Sequence, residues 1–141
     1  MKLGTPFLAL AACGAFAMPG CGSDSDDGTT TTAPKPKTPT ANTEAIREIV
    51  LVRAGLDEAL DQLRSGDAKA AEDTVSETYL RHFELVEGPL DRVDHELNEE
   101  LEETIRDELR KKIAGGAEPA AVSKLVDEVK DDLASAEAKL K

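Results

Sequence analysis

Four runs of apolar residues at helical spacing, separated by short breaks that contain glycine or proline, extend from Asn42 to Lys141. Within each run the apolar positions recur three and four residues apart, which places them on one face of an α-helix. Because each break is only a few residues long, consecutive helices have to run antiparallel. The pattern predicts an all-α fold, an antiparallel up-down-up-down four-helix bundle over residues 42–141.

The breaks also predict where the first two helices begin and end. Helix one is expected over about 43–65, because Ser65–Gly66 interrupts its apolar pattern. Helix two is expected over about 67–87, with Asp67 as its N-cap. Its end is placed at Gly88–Pro89, because proline disfavours continuation of a helix. Three residues can cap the start of helix one: Thr40, Asn42 and Thr43.

The last two helices have comparable signals. Helix three is expected over about 89–114, with an apolar stripe that starts at Leu90 and Val93 and a stop at Gly115–Gly116. Helix four is expected over about 118–140. Its start is placed next to Pro119, because proline is favoured at the first helical position. No Asn-Gly or Asp-Gly hairpin signal separates two apolar segments, so the sequence predicts no strand.

The first twenty residues are organised like an export signal. Lys2 precedes an apolar stretch from Phe7 to Met18, and Gly20 provides a small residue before Cys21. The stretch is too short and too rich in glycine for a permanent transmembrane helix. We therefore expect residues 1–20 to be a signal peptide. Both cysteines, Cys13 and Cys21, precede the helical runs, so neither a disulfide nor a cysteine metal site is expected in the bundle.

Residues 21–41 are rich in Thr, Pro, Asp and Ser, a composition that buries too little apolar surface to fold and that predicts a disordered tether. A signal that ends at a cysteine and leads into a tether resembles the bacterial lipoprotein pattern. This resemblance implies a lipidated Cys21 and an exported protein, anchored at the outer face of the cytoplasmic membrane or in the periplasm. Cys13 is an alternative lipidation site, and a plain secretory signal is a second alternative.

The formal net charge of −12 constrains the partners of the chain. It excludes nucleic acid, whose phosphates would be repelled. Between Glu84 and Glu108 there are eleven carboxylates and only two arginines, Arg92 and Arg106. A cation or a protein with a basic surface is therefore the expected partner, the alternative being a face that only contacts water.

Several polar residues fall on or beside the apolar stripes. Glu72 and His82 intrude on helix two and Arg53 on helix one, whereas Glu87 lies at the margin of its stripe. A charge near the bundle axis is costly unless it is paired or binds a metal. The sequence predicts either an ion pair such as Arg53 with Glu72 or a functional site at these positions.

Helix three carries Asp91, His95 and Glu99 four residues apart, a set that can either hold a divalent cation or form solvated side-chain pairs. The stretch from His95 to Glu99 also looks like a broken zinc-protease motif, because a glutamate stands where the second histidine belongs. No phosphate-binding loop and no nucleophile with a paired base is recognisable. We expect the protein not to be an enzyme.

The segment from Glu77 to Leu90, ETYLRHFELVEGPL, resembles a signature of the extracytoplasmic helical domain that precedes the membrane core in many bacterial high-affinity iron permeases. The family pattern is roughly Ala-Tyr-x-x-x-Phe-Glu-x-x-Glu-x-x-Leu, and the similarity extends over most of residues 45–141. The membrane helices of that family, with their Arg-Glu-x-x-Glu motifs, are not found in this sequence. The resemblance implies a detached, lipid-tethered version of the extracytoplasmic domain.

This resemblance implies an accessory role in iron uptake, through iron binding or through docking to a permease. Carboxylate oxygens suit iron, and equally calcium, magnesium or a basic protein surface. The residues expected to bind iron are Glu84, Glu87, His82 and Glu103. The alternative is a structural or protein-interaction lipoprotein that has no metal site.

Lipidation of Cys21 can be tested by substitution in cells that make the full chain. Cys21→Ser is expected to move the protein from the membrane fraction to the soluble fraction, because acyl chains supply the attachment. Cys13→Ser is the matched control and is expected to stay membrane-bound. Cell fractionation and the mass of the N-terminal peptide measure both outcomes. A lipidated N-terminus in Cys21→Ser would contradict the assignment.

Overall fold

A computed structural model describes residues 40–141, whose regular structure is entirely helical. Four helices follow one another: α1 is Ala41–Arg64 and α4 is Pro119–Leu140. α2 consists of Ala68–Thr78, a π-helical turn at Tyr79–Phe83, and Glu84–Asp91. α3 consists of His95–Glu103, a π-helical turn at Thr104–Glu108, and Leu109–Ala114. The expected signal peptide, the lipidated Cys21 and the tether up to residue 39 lie outside the described residues.

Contacts between helix ends fix the direction of the chain. The Asn42 amide at the start of α1 donates to the Leu140 carbonyl at the end of α4, at 3.2 Å. Lys139 near the end of α4 lies 2.9 Å from the carboxylate of Asp94, the N-cap of α3. α1 packs against α2 and α4, and α3 packs against the same two helices. The predicted antiparallel four-helix bundle is confirmed.

Most helix ends lie where the sequence predicted them. The Thr40 side chain accepts a hydrogen bond from a backbone N–H of the first turn and caps α1, which begins two residues earlier than expected. Asp67 caps α2 in the same way. Gly66 and Gly116 follow α1 and α3 with φ of +91° and +74°, a conformation that other residues adopt only with strain. Pro119 begins α4.

The predicted end of α2 at Gly88–Pro89 is wrong, because the helix continues to Asp91. Leu90 therefore belongs to α2 and not to α3. Val93, which was placed on the apolar stripe of helix three, lies in the turn and is 47% exposed. α3 begins at His95, after Asp94 accepts a hydrogen bond from the backbone N–H of Leu97.

Packing explains why Pro89 does not end the helix. A proline inside a helix costs about 3 kcal/mol, partly because it leaves one carbonyl without its N–H donor. That carbonyl belongs to Leu85, an exposed residue, so water can reach it. Val86 and Leu90 are fully buried on either side, and each such side chain contributes about 1.5–3 kcal/mol. Burial of these two residues offsets the cost of the proline.

The core is a single cluster of aliphatic side chains and two aromatic ones, Tyr79 and Phe83, of which Phe83 is fully buried. Along α3 the core residues are spaced by four throughout: Leu97, Leu101, Ile105, Leu109 and Ile113. At about 100° per residue, such spacing drifts by about 160° over the helix, too far for one face. The π-helical turn inserts one extra residue, which cancels about 100° of that drift. It therefore keeps all five side chains inside.

α2 uses the same correction at the same level of the bundle. Its core residues Ala71, Val75, Tyr79 and Phe83 are also spaced by four, and its π-helical turn begins at Tyr79. Tyr79 lines a cavity together with Arg106, which belongs to the π-helical turn of α3. One residue of each π-helical turn therefore reaches the α2–α3 interface.

α1 and α2 lie in close contact at Gly55. A Cβ added to Gly55 would lie 2.1 Å from the Thr78 hydroxyl oxygen and 2.9 Å from its methyl carbon. These distances leave no space for a side chain, and Thr78 is buried.

Among the helices of residues 40–141, none combines the length and the apolar composition that crossing a membrane requires.

Gly55→Ala is expected to destabilise the bundle by about 1–3 kcal/mol, because overpacking outweighs the higher helix propensity of alanine. Urea unfolding followed by circular dichroism measures the change. In a Thr78→Ala background both clashing atoms are gone, so the same substitution is expected to be neutral or stabilising. A stabilising effect of Gly55→Ala in the wild-type background would contradict the close approach.

Candidate functional site

The structure does not bring together the four residues expected to bind iron. Glu84 and Glu103 are exposed, whereas His82 and Glu87 are half-buried. His82 contacts α1 and Glu87 contacts a residue of α2 itself. Within residues 40–141, no three His, Cys, Asp or Glu side chains converge in a way that could hold a metal ion. The predicted site therefore has no common centre in this part of the chain.

His82 forms the polar contact between α2 and α1. Its Nδ1 lies 2.7 Å from the Glu48 carboxylate, whose side chain is only 16% exposed. The imidazole also lines an open groove of about 310 Å³ between the two helices, next to Gly55 and Thr78. This contact gives the His82 imidazole a polar partner within the interface. Pairing of this kind was expected for a charged residue on an apolar stripe, because an unpaired buried charge is costly.

Glu87 belongs to a different face, the one between α2 and α3. Its carboxylate accepts a hydrogen bond of 2.6 Å from the Tyr79 hydroxyl. Arg106, on α3, lines a cavity together with Tyr79 and makes an ion pair with Glu102. Tyr79, Glu87, Glu102 and Arg106 are called the tyrosine cluster below.

The electrostatics of the tyrosine cluster favour a neutral phenol. Burial, the hydrogen bond to Glu87, and the negative charges of Glu87 and Glu102 together raise the pKa of Tyr79 well above its ordinary value, against an opposing effect of Arg106. The hydrogen bond to Tyr79 and the charge of Glu102 raise the pKa of Arg106 in turn. Arg106 is thus the cation that pairs with two carboxylates, Glu102 and Asp107.

Asn98 of α3 carries an unsatisfied polar atom. The residue is 6% exposed, and its side-chain oxygen has no hydrogen-bond partner. Asn98 and Glu102 are four residues apart in one α-helical segment, so they lie on the same face of α3. A buried amide oxygen without a donor costs about 1–3 kcal/mol, so such atoms require an explanation.

The other polar residues on the apolar stripes are paired across helices. The predicted pair of Arg53 with Glu72 is wrong: Arg53 contacts Glu137 of α4 at 3.1 Å, and Glu72 contacts Arg110 of α3 at 3.3 Å. Arg53 lies toward α4 and Glu72 lies toward α3, so the two side chains do not meet. Each of them instead connects its own helix to the next one in the bundle.

The eleven carboxylates between Glu84 and Glu108 differ in their partners. Some are compensated, as Glu102 and Asp107 are by Arg106, and Asp94 is by Lys139. Five are exposed and form no ion pair with any residue of 40–141: Glu84, Glu96, Glu100, Glu103 and Glu108. These five residues are called the unpaired acidic surface below.

The predicted set of Asp91, His95 and Glu99 does come together, but as solvated pairs. Nδ1 of His95 lies 2.6 Å from Asp91, and Nε2 lies 3.4 Å from Glu99. The imidazole therefore stands between the two carboxylates, and the three groups do not point at one ion. All three side chains are more than half exposed.

Sequence reasoning did not identify the tyrosine cluster as a unit. It selected neither Tyr79 nor Glu102 as a functional residue, and it did not consider Asn98. The available signal was the four-residue spacing of core residues on α2 and α3. Such spacing requires a π-helical turn in each helix, and these turns occur frequently at functional sites.

Comparisons of the chain with protein-family models, with curated proteins and with solved structures found no match.

The position of His95 predicts a pH dependence of stability. The hydrogen bond to Asp91 and the charges of Glu99 and Asp91 raise the pKa of His95 in the folded state. The resulting stabilisation is fully present below the ordinary histidine pKa of about 6.5 and is lost as the pH rises through the raised value. The difference in melting temperature between wild type and His95→Gln is therefore expected to be larger at about pH 5.5 than at about pH 9.

The NMR titration of the imidazole provides an independent reading of the same effect. It is expected to give a pKa above about 6.5. A wild-type advantage that is equal at both pH values, or larger at the higher one, would contradict the interaction.

Proposed function

We propose that the protein is a membrane-tethered extracytoplasmic accessory module of iron uptake, which presents its acidic α2–α3 side to a permease or to the iron itself. The observation that supports this proposal most is the unpaired acidic surface, five exposed carboxylates without a cation partner. Uncompensated charge of one sign attracts ligands of the opposite sign and accelerates their association. The sequence resemblance to iron-permease domains supports iron as the cargo.

The arrangement of the helices suits a docking surface. The five carboxylates lie on consecutive turns of the last part of α2 and of α3, outside a rigid apolar core. A tether of about twenty residues, as the sequence predicts, would hold the bundle roughly 25 Å from the membrane. At that distance the acidic side can meet a neighbouring membrane protein.

A second function is supported by the separation of the predicted ligands. Because Glu84, His82 and Glu103 do not converge with Glu87, the bundle can also serve as a protein-interaction lipoprotein whose carboxylates meet a basic surface without any metal. In that case iron availability would not change the phenotype of a charge variant.

Charge neutralisation separates the two functions. Changing the five carboxylates of the unpaired acidic surface to glutamine is expected to lower uptake of radiolabelled iron and growth under iron limitation, with about a tenfold slower association with the partner. The matched control makes the same charge change at five exposed carboxylates of α1 and α4: Glu44, Glu58, Asp61, Asp127 and Asp131.

The control is expected to leave iron uptake at the wild-type rate. Normal uptake in both variants, with circular dichroism showing folded bundles, would contradict a role in iron transport. A defect of the acidic-surface variant that persists in iron-rich medium would favour the interaction lipoprotein.

A further inference from the structure

We propose that a cavity between α2 and α3 binds a small organic carboxylate, that is, a carboxylate group carried by a compact apolar body. The cavity has a volume of about 170 Å³ and is called the arginine cavity below. Its lining residues are Ser76, Tyr79 and Leu80 of α2 and Arg106 and Arg110 of α3. The inference goes beyond the proposed role in iron uptake and does not depend on it.

The charged side chains that line the arginine cavity are both positive. The chain has 29 Asp and Glu residues against 17 Lys and Arg, and yet no carboxylate of residues 40–141 lines this cavity. Glu102 and Asp107, which pair with Arg106, are not part of the lining. Glu72, which pairs with Arg110, is not part of it either. Two guanidinium groups without a carboxylate in the same cavity favour an anionic ligand.

A neighbouring cavity shows how the protein compensates the same arginines elsewhere. This second cavity, of about 190 Å³, is also lined by Arg106 and Arg110, but Glu72 and Asp107 line it as well. An anion placed there would compete with two carboxylates and be repelled by them. The arginine cavity is therefore the one of the two in which an anion gains from both guanidinium groups without that repulsion.

Arg110 has a hydrogen-bond donor that the protein does not use. Its Nη2 donates to the Glu72 carboxylate at 3.3 Å, whereas its buried Nε–H group has no acceptor among residues 40–141. A guanidinium commonly binds a carboxylate through two parallel N–H groups. Because the Arg110 side chain is 40% exposed, a small rotation can turn Nε toward a ligand in the cavity. A bound carboxylate would then supply the missing acceptor.

The α2 side of the arginine cavity suits an apolar body. Leu80 is 59% exposed, so a ligand that covers it removes apolar surface from water. The hydroxyl groups of Ser76 and Tyr79 already donate their protons, to the Glu72 backbone carbonyl at 3.1 Å and to the Glu87 carboxylate at 2.6 Å. They therefore have no further proton to donate to an anion. Its donors come from α3 and its apolar contact comes from α2.

A carboxylate fits this lining better than a phosphate. A phosphate group carries a charge of about −2 near pH 7 and three acceptor oxygens, so it requires more cationic donors than a carboxylate does. Only two cationic side chains line the arginine cavity, and Lys111, the next cation along α3, lines the neighbouring cavity instead. The expected ligand is a monoanion with a branched or cyclic hydrocarbon group.

Tyr79 provides a direct signal for binding. It is the single tyrosine of a chain without tryptophan, so the intrinsic fluorescence comes from a residue that lines the cavity. Titration of the full chain with sodium cyclohexanecarboxylate, at constant ionic strength, is expected to change this emission saturably. It is also expected to shift the amide NMR signals of Leu80 and Arg110. Cyclohexanecarboxamide, which has the same body without the charge, and sodium phosphate are both expected to bind at least tenfold more weakly.

Two matched pairs of variants separate the cavity from general effects of charge and surface. Arg110→Gln is expected to weaken binding at least tenfold. Lys112→Gln removes the same charge from an exposed residue of the same last turn that lines neither cavity, so it is expected to leave binding unchanged. Leu80→Ala is expected to weaken binding at least threefold, and Leu85→Ala, equally outside the core, is its control.

Weaker binding in Arg110→Gln and Leu80→Ala, with both controls unchanged, would support the site. No saturable change in the emission or in the NMR signals of the folded wild-type protein would overturn it. Equal affinity for the carboxamide or for phosphate would overturn the assignment to a carboxylate. Equal weakening by Arg110→Gln and Lys112→Gln would contradict the cavity as well, because the ligand would then respond only to the overall charge.

Discussion

The packing of this bundle depends on a mismatch between its sequence and a regular α-helix. Core residues repeat every four positions along α3 and from Ala71 to Phe83 on α2, whereas an α-helix turns every 3.6 residues. One π-helical turn in each helix removes most of the drift, and without it the later core residues would rotate toward water. Tyr79 and Arg106, one from each turn, line the same cavity.

Polar contacts determine which helix faces which neighbour, while apolar burial supplies most of the stability. Each interface has its own pair: His82 with Glu48 between α1 and α2, and Glu72 with Arg110 between α2 and α3. Arg53 meets Glu137 where α1 contacts α4. Because the partners lie on different helices, each pair is formed only in one register of the bundle. The large excess of carboxylates is left on the outside, where it is available to cations.

The sequence predicted those features of the fold that depend on local chemistry. Capping by Thr40 and Asp67 and the stops at Gly66 and Gly116 need only a few neighbouring residues. The end of α2 was not predictable from Pro89 alone, because burial of Leu90 on the other side of the proline depends on tertiary packing.

The candidate site was less predictable than the fold. Glu87 was identified as a functional carboxylate, but its contact with Tyr79 crosses eight residues and a π-helical turn, which regular helical spacing does not describe. Glu102 acts on Tyr79 only after α3 has been placed against α2. The pair of Arg53 with Glu72 failed for a related reason, since the rotation of each helix about its axis decides which partner a charged side chain reaches.

NMR couplings across hydrogen bonds test the two π-helical turns most directly. The structure predicts a coupling from the Glu84 amide nitrogen to the Tyr79 carbonyl carbon, and a second from Leu109 to Thr104, each five residues back along the chain. Couplings from the same amides to Leu80 and Ile105, four residues back, would show regular α-helices. That result would contradict both the packing of the core and the cavity that Tyr79 and Arg106 share.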